Sequence, residues 1–195
     1  MSSGSDALWR LPRHPDWKYE MVKGEAWLSS RPRPLHLCRP TSLAVGAVTL
    51  SGIEIRMIDG RGEHSEIAKL LMDVWVEEDP YRSLEDPKTL LAEQIECSLE
   101  APGLDVIAID EQGVCAVVLV PSTPVPELGW LTVRRDARER GLATALLRVV
   151  VETLSARGVE ELASGTSAAN VPSLRWHLTH GFQLAPDPLR EAMRR

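Results

Sequence analysis

The sequence predicts an α/β fold: a mixed, mostly antiparallel central sheet flanked by helices and preceded by a β-hairpin extension. Three observations carry that reading. Beyond Gly52 the apolar residues switch repeatedly between a period of two and a period near 3.6. Three extended runs follow one another with short connections, as in a β-meander. A long amphipathic helix comes directly after the third run, and strand and helix patterns alternate from there on.

Residues 1–50 stand apart. They carry Pro12, Pro15, Pro32, Pro34 and Pro40 and three of the six tryptophans, which reads as an irregular extension. Within it, Trp17–Val22 and Glu25–Leu28 alternate around Lys23-Gly24 as a β-hairpin would. A hairpin alone is marginal in water, so it is expected to dock on the main domain through Trp9, Trp17 and Trp27.

The domain proper is expected over residues 51–195. Ile53–Ile58 alternates as a strand, and Glu63–Glu78 sets Ile67, Leu70, Leu71, Val74 and Trp75 on one helical face. A second helix is predicted from Pro87 to Leu99 behind Asp86 as N-cap. The meander comprises Leu104–Ile109, Val114–Val120 and Leu128–Val133. A helix over Glu139–Ala156 follows, apolar at Leu142, Leu146, Leu147, Val150, Val151 and Leu154 and stopped by Gly158. Val159–Ser164 reads as a strand, Pro172–Thr179 as a helix, and a last strand lies beyond Phe182.

Composition narrows the class. With 44% hydrophobic and 26% charged residues in 195, the chain fits one globular domain with an appendage, not a disordered, collagenous or coiled-coil protein. Its net charge is −6, and the acids crowd between Glu77 and Glu111, which disfavours nucleic acid and favours a neutral or cationic partner. The longest apolar run, Val114–Val120, is far short of a membrane span, and the start lacks the basic and apolar regions of a signal peptide. No membrane partner and a cytoplasmic location are expected. Cys38, Cys97 and Cys115 are odd in number and widely spaced, so buried thiols are expected, with neither disulfides nor a metal site.

The chemistry concentrates in Val133-Arg-Arg-Asp-Ala-Arg138-Glu139-Arg140-Gly141-Leu142-Ala143, where a strand ends and the long helix begins. A helix N-terminus presents unpaired N–H groups and partial positive charge, which suits an anion. Gly141 and Ala143 leave room for a ligand near the backbone, and Arg138 and Arg140 add charged donors.

This turn resembles the Arg/Gln-x-x-Gly-x-Gly/Ala signature of the GNAT N-acetyltransferase superfamily. One strand later, Asn170-Val-Pro-Ser173-Leu-Arg-Trp176-His177 leading to Gly181-Phe182 resembles the second signature of that family, Asn-x-x-Ala/Ser-x-x-aromatic-Tyr ending in Gly-Phe. The resemblance spans about Ile53 to Arg195. It implies a fold in which acetyl-CoA, as co-substrate, lies where two central strands splay apart. Its pyrophosphate would rest on the amides of Glu139, Arg140, Leu142 and Thr144. Its pantetheine would pair with Leu131, Thr132 and Val133, and Asn170 and Ser173 would complete the site. Glu139 departs from the commoner Gly, so its carboxylate must turn outward. The partners implied are acetyl-CoA and an amine acceptor, with a homodimer left open.

Attack on a thioester needs a neutral amine, hence a base, and the departing thiolate can use an acid. Glu127 is the base candidate: it opens the third meander strand, and some protein-acetylating members of the family place a glutamate at this offset from the turn. A period of two puts it on the face of Gly129, Leu131 and Val133. The alternative is a solvated strand start. His177 stands where the family has Tyr, either as the acid or as an ordinary helix histidine. Tyr81, in the acidic loop Glu77–Arg82, is the other tyrosine within plausible reach of the splay. His180 is expected to face solvent or cap its helix. These residues suit an acetyl-CoA-dependent N-acetyltransferase acting in a ternary complex, the alternative being an acyl-CoA-binding or regulatory module with little turnover.

Overall fold

Alternating apolar residues lay down the strands, and the connections decide which edges meet. The computed structural model describes residues 17–22, 25–30, 34–58, 62–76, 87–100, 103–123, 125–168 and 170–185. The elements in chain order are β1 Trp17–Val22, β2 Glu25–Ser30, β3 Pro34–Pro40, β4 Glu54–Met57, α1 His64–Trp75, α2 Pro87–Glu100, β5 Val106–Asp110 and β6 Gly113–Leu119. They continue as β7 Glu127–Leu128, β8 Trp130–Val133, α3 Leu142–Ala156, β9 Glu161–Ser167, α4 Val171–Thr179 and β10 Gln183–Leu184. Asp86, Trp9, Tyr81, the acidic loop and the Lys23-Gly24 turn lie outside the described residues, as do the side chains of Trp17 and Trp27.

β1 and β2 form the expected antiparallel hairpin, Trp17 opposite Ser30 and Val22 opposite Glu25. The meander pairs antiparallel in the order β4-β5-β6-β8, and a second sheet runs β10-β3-β9-β7. Of its pairings only β7 with β9 is parallel. Helices cover opposite faces of the meander, because each strand alternates its apolar residues between them. Ile67, Leu70 and Leu71 of α1 and Ile95 of α2 pack with Ile107, Val117 and Leu119. Leu142, Leu146, Leu147 and Val150 of α3 pack with Val106, Ala108 and Val118 on the other face. Each of the buried leucine, isoleucine and valine side chains contributes about 1.5–3 kcal/mol. Of the three thiols Cys115 is buried, but Cys97 is exposed and Cys38 half-buried, so burial holds for one alone.

Three elements depart from the sequence reading, the first being the run expected as Leu128–Val133, which is split between β7 and β8 in separate sheets. The helix expected from Glu139 starts at Leu142, since Glu139 and Gly141 are left-handed, with φ of 63° and 83°. Pro34–Pro40 is a strand, where its prolines had marked it as irregular. It pairs with β9 along its whole length, from Pro34 opposite Ser167 to Pro40 opposite Glu161, and β10 joins its other edge. The prolines sit at its two ends, where a missing N–H interrupts the ladder least. Leu37 and Arg39 are both fully inside. A buried arginine in the apolar phase is what hides this strand from a hydrophobicity pattern.

Arg39 has no acidic partner among the described residues. Its Nη2 donates to the Leu43 carbonyl, its Nε to the Pro40 carbonyl at 3.4 Å, and its guanidinium lies 5.7 Å from the Phe182 ring centre. Burial lowers its pKa. It ties β3 to the segment Thr41–Leu50, whose Val45 and Leu50 pack onto the core under α3.

Because β3 is interior to its sheet, removing residues 1–40 should lower the thermal midpoint far more than removing residues 1–33. Loss of Leu37 and of the cover it gives the core should cost about 3 kcal/mol or more, a fall of about 6–12 °C. Equal midpoints for the two deletions would contradict this sheet order.

Candidate functional site

The site begins at one backbone irregularity. β7 runs beside β9 only through Glu127 opposite Ala163 and Leu128 opposite Ser164. Then β8 turns away to pair with β6, while β9 continues to Ser167 beside β3. Between them Gly129 donates to the Leu119 carbonyl at 2.9 Å, although Trp130 also stands opposite Leu119. Two residues against one is the geometry of a β-bulge. A side chain at Gly129 would begin 3.2 Å from that carbonyl, which favours glycine.

The bulge reverses the expected parity. Leu128, Leu131 and Val133 all face the core under α3. Trp130 packs on the α1/α2 side, and Thr132 accepts a hydrogen bond there from Trp75 Nε1 at 2.6 Å. Glu127 points opposite to Leu128, so it shares the α1/α2 face with Trp130 and Thr132, not the face of Leu131 and Val133. It is exposed, and its Oε1 lies across Gly165, the first β9 residue beyond the last β7 pair.

Past the bulge β8 is the edge of its sheet. Arg134 N–H donates to the Cys115 carbonyl at 2.8 Å, and antiparallel alternation then turns the main chain of Thr132 towards β6. The N–H and C=O groups of Leu131 and Val133 face the open side. The main chain of Thr132, the middle one of the three residues expected to pair, faces its own sheet. Arg138 Nε donates to the Val133 carbonyl at 3.3 Å.

Arg134, which the sequence reading passed over, anchors the turn that follows. Its guanidinium binds Asp110 at 2.6 Å and Asp136 at 2.7 Å, holding both carboxyls below the usual range. A short 3₁₀ turn, Arg135–Ala137, leads to exposed Arg138, Glu139 and Arg140. Gly141 is the N-cap of α3, without a side-chain cap, and its carbonyl receives the first helical bond from Ala145. The amides of Leu142, Ala143 and Thr144 precede that bond, so they are the unpaired donors of the helix start. What lies against Gly141 is Val48: a Cβ there would come within 2.6 Å of it. Glycine is thus required by positive φ and by Val48 as well as by any ligand. Thr144 Oγ1 is held by His180 Nε2 at 2.9 Å, and His180, the C-cap of α4, stacks 4.5 Å from Trp176.

On α4, Asn170 Oδ1 caps the helix by accepting from Ser173 N–H at 3.1 Å, which leaves its amide nitrogen for a ligand. Ser173 Oγ accepts from Thr166 at 2.9 Å. His177 is buried, with Nδ1 2.7 Å from the Ser173 carbonyl and Nε2 2.8 Å from Ser164 Oγ. Nδ1–H donates to the carbonyl and Nε2 accepts the hydroxyl, a neutral ring with both nitrogens used. Burial lowers its pKa. These contacts fit the second of the two readings of His177, an ordinary helix histidine: it braces α4 on β9, on the face opposite Glu127. Tyr81 cannot be placed, lying outside the described residues. No cluster of metal-binding residues occurs among those described, nor any helix long and apolar enough to cross a membrane.

A model of the Acetyltransferase (GNAT) family matches residues 65–182. Among solved structures, a GCN5-related N-acetyltransferase from Sphaerobacter thermophilus is 21% identical with a TM-score of 0.59, over 78% of this chain and 48% of that one. A tandem GNAT protein from the clavulanic acid biosynthesis pathway is 16% identical with a TM-score of 0.59, over 80% and 51%. The aminoglycoside N-acetyltransferase AAC(6')-Iy in complex with CoA is 22% identical with a TM-score of 0.55, over 71% and 93%. These likenesses are of fold, and the chain spans about half the length of the first two. No curated protein matches the chain.

Two outcomes follow from this geometry. Glu139→Gly should raise stability by up to about 1 kcal/mol, because a left-handed residue with a Cβ is strained by about 1–2 kcal/mol and glycine returns part of that as unfolded-state entropy. A lowered thermal midpoint would contradict the left-handed assignment. For His177, the unfolded chain takes up a proton near pH 6.5 while the folded chain resists it. Its effect on stability is absent above that pH and grows unfavourable as pH falls, by at most about 1.4 kcal/mol per pH unit. Urea unfolding between pH 7.5 and 5 should show a smaller acid loss in His177→Gln than in the parent; identical slopes would mean that His177 titrates normally.

Proposed function

We propose, from the premise that the chain belongs to the Acetyltransferase (GNAT) family, that it is an acetyl-CoA-dependent N-acetyltransferase passing the acetyl group directly to a primary amine in a ternary complex. One observation carries the reading: a strand that leaves its neighbour at a bulge, presents an open edge at Leu131 and Val133, and runs into a helix start with unpaired amides and two exposed arginines.

The arrangement suits a long substrate with a phosphate end. The pyrophosphate would meet the amides of Leu142, Ala143 and Thr144, where helix polarity favours negative charge, with Arg138 and Arg140 beside it. The pantetheine amides would add to the open edge as another strand would, with the Asn170 amide nitrogen as a further donor. Acetyl-CoA is thereby aimed at the bulge, and Glu127 lies on the face from which an amine would approach.

The reaction needs a neutral amine. Glu127, through a water, would take the ammonium proton; the amine nitrogen then attacks the thioester carbon, the C–N bond forms, and the C–S bond breaks with its electron pair leaving on sulfur. A thiol has an ordinary pKa near 8.5, so the thiolate departs without a strong acid; the nitrogen sheds its second proton as the amide forms, and the thiolate takes up a proton through solvent. Alignment of the two substrates supplies most of the acceleration.

One observation favours a second reading, an acyl-CoA-binding module with little turnover: the histidine at the tyrosine position of the family signature has both nitrogens engaged. Kinetics separates the two. Acetyl-CoA at a hundred times its Kd should stabilise the chain by about 2.7 kcal/mol. Glu127→Gln should lower kcat for amine acetylation about a hundredfold at pH 7 with unchanged acetyl-CoA affinity, and the loss should shrink towards pH 10, where amines deprotonate unaided. Acetyl-CoA binding without thiol release would favour the module, and no binding would end both readings.

A further inference from the structure

On the α1/α2 face, next to the bulge, a shallow, open cleft of about 440 Å³ lies between α2 and β8. Glu93, Gln94, Cys97 and Ser98 line one wall, at positions one helical turn apart, and Trp130 lines the other. Trp130 is pinned in place: its Nε1 donates to Ser98 Oγ at 2.9 Å, and its ring meets that of Trp75 edge to face at 5.0 Å. Glu93 is exposed at the cleft. Cleft and Glu127 therefore lie on one side of the sheet, on either side of Gly129.

We infer that this cleft receives the part of the acceptor remote from the reacting amine, and that this part is cationic: the acceptor is a primary amine bearing a second positive charge, a diamine or longer polyamine. The inference rests on the acetyltransferase reading above and adds the substrate class. An indole and a carboxylate lining one cleft can attract an ammonium by ring charge distribution and by ion pairing, whereas a neutral tail gains from the ring alone. Charge distribution gives independent support. α2 carries Glu93, Glu96 and Glu100 against Lys88, all four exposed. This excess of negative charge on α2 raises the local concentration of cations on this side of the molecule. Diamine acceptors carry two positive charges at neutral pH, and only the one at Glu127 must be discharged for reaction.

The test uses the intact chain with saturating acetyl-CoA, comparing 1,4-diaminobutane with n-pentylamine by thiol release, and calorimetric titration of the diamine in the presence of CoA. The diamine should show a KM at least about tenfold lower at similar kcat. Glu93→Gln should raise the diamine KM about tenfold, leaving kcat and the n-pentylamine KM unchanged. Glu96→Gln removes another exposed charge from the same helix outside the cleft and should leave both KM values nearly as they were. Equal KM values for the two amines, or equal effects of Glu93→Gln and Glu96→Gln, would overturn the assignment. If no thiol is released but the diamine binds and Glu93→Gln weakens it, the cleft assignment stands and the acetyltransferase reading fails. No diamine binding by calorimetry overturns the cleft.

Discussion

Everything at the candidate site depends on one hydrogen bond too many. Leu119 is shared by Gly129 and Trp130, and that doubled partnership ends the parallel pairing of β7 with β9. Without the bulge, β8 would continue alongside β9 and the two sheets would merge, leaving no open edge at Leu131 and Val133. The same shift decides which side each residue serves, since a one-residue slip exchanges the faces of a strand. Glu127 and Trp130, three positions apart, come to the same face only because of it.

A second constraint shapes the helix start. Two left-handed residues, Glu139 and Gly141, bend the chain sharply between Arg138 and Leu142, and Arg134 fixes the near side of the bend through Asp110 and Asp136. Val48 closes against Gly141 from outside, while Leu43 sits against Gly181, another left-handed glycine. The N-terminal segment Thr41–Leu50 thus braces the turn and the end of α4 together, with Arg39 securing its first part. The commoner glycine at the position of Glu139 gains a physical reason here: the backbone conformation, more than clearance for a ligand, asks for it.

The fold class was legible because most elements bury one face, so period and polarity report them directly: the stripe of α3 and the alternation of β5 and β6 needed nothing else. The family signatures were legible because they are backbone requirements, a left-handed cap at Gly141 and a side-chain cap at Asn170. Three features were not. β3 was hidden by its prolines and by Arg39, whose burial depends on carbonyls and a ring contributed from elsewhere in the chain. The face of Glu127 was misassigned because a bulge leaves no mark in a period-two count. The role of His177 was undecided because only the packed structure shows Ser164 and Ser173 taking both of its nitrogens.

The inserted strand has a consequence for the order of events during synthesis. β3 leaves the ribosome before both of its partners, β9 and β10, which lie more than a hundred residues further along. At 5–20 residues per second the strand waits roughly ten seconds before its first neighbour exists. During that interval Leu37 is uncovered and the ladder groups of β3 are unpaired, a template open to other chains. Its bordering prolines and the charge of Arg39 then act as guards against premature pairing. The loop closed by β3 and β9 encloses the whole meander, so this pairing is a long-range, entropically costly closure of the kind that slows folding.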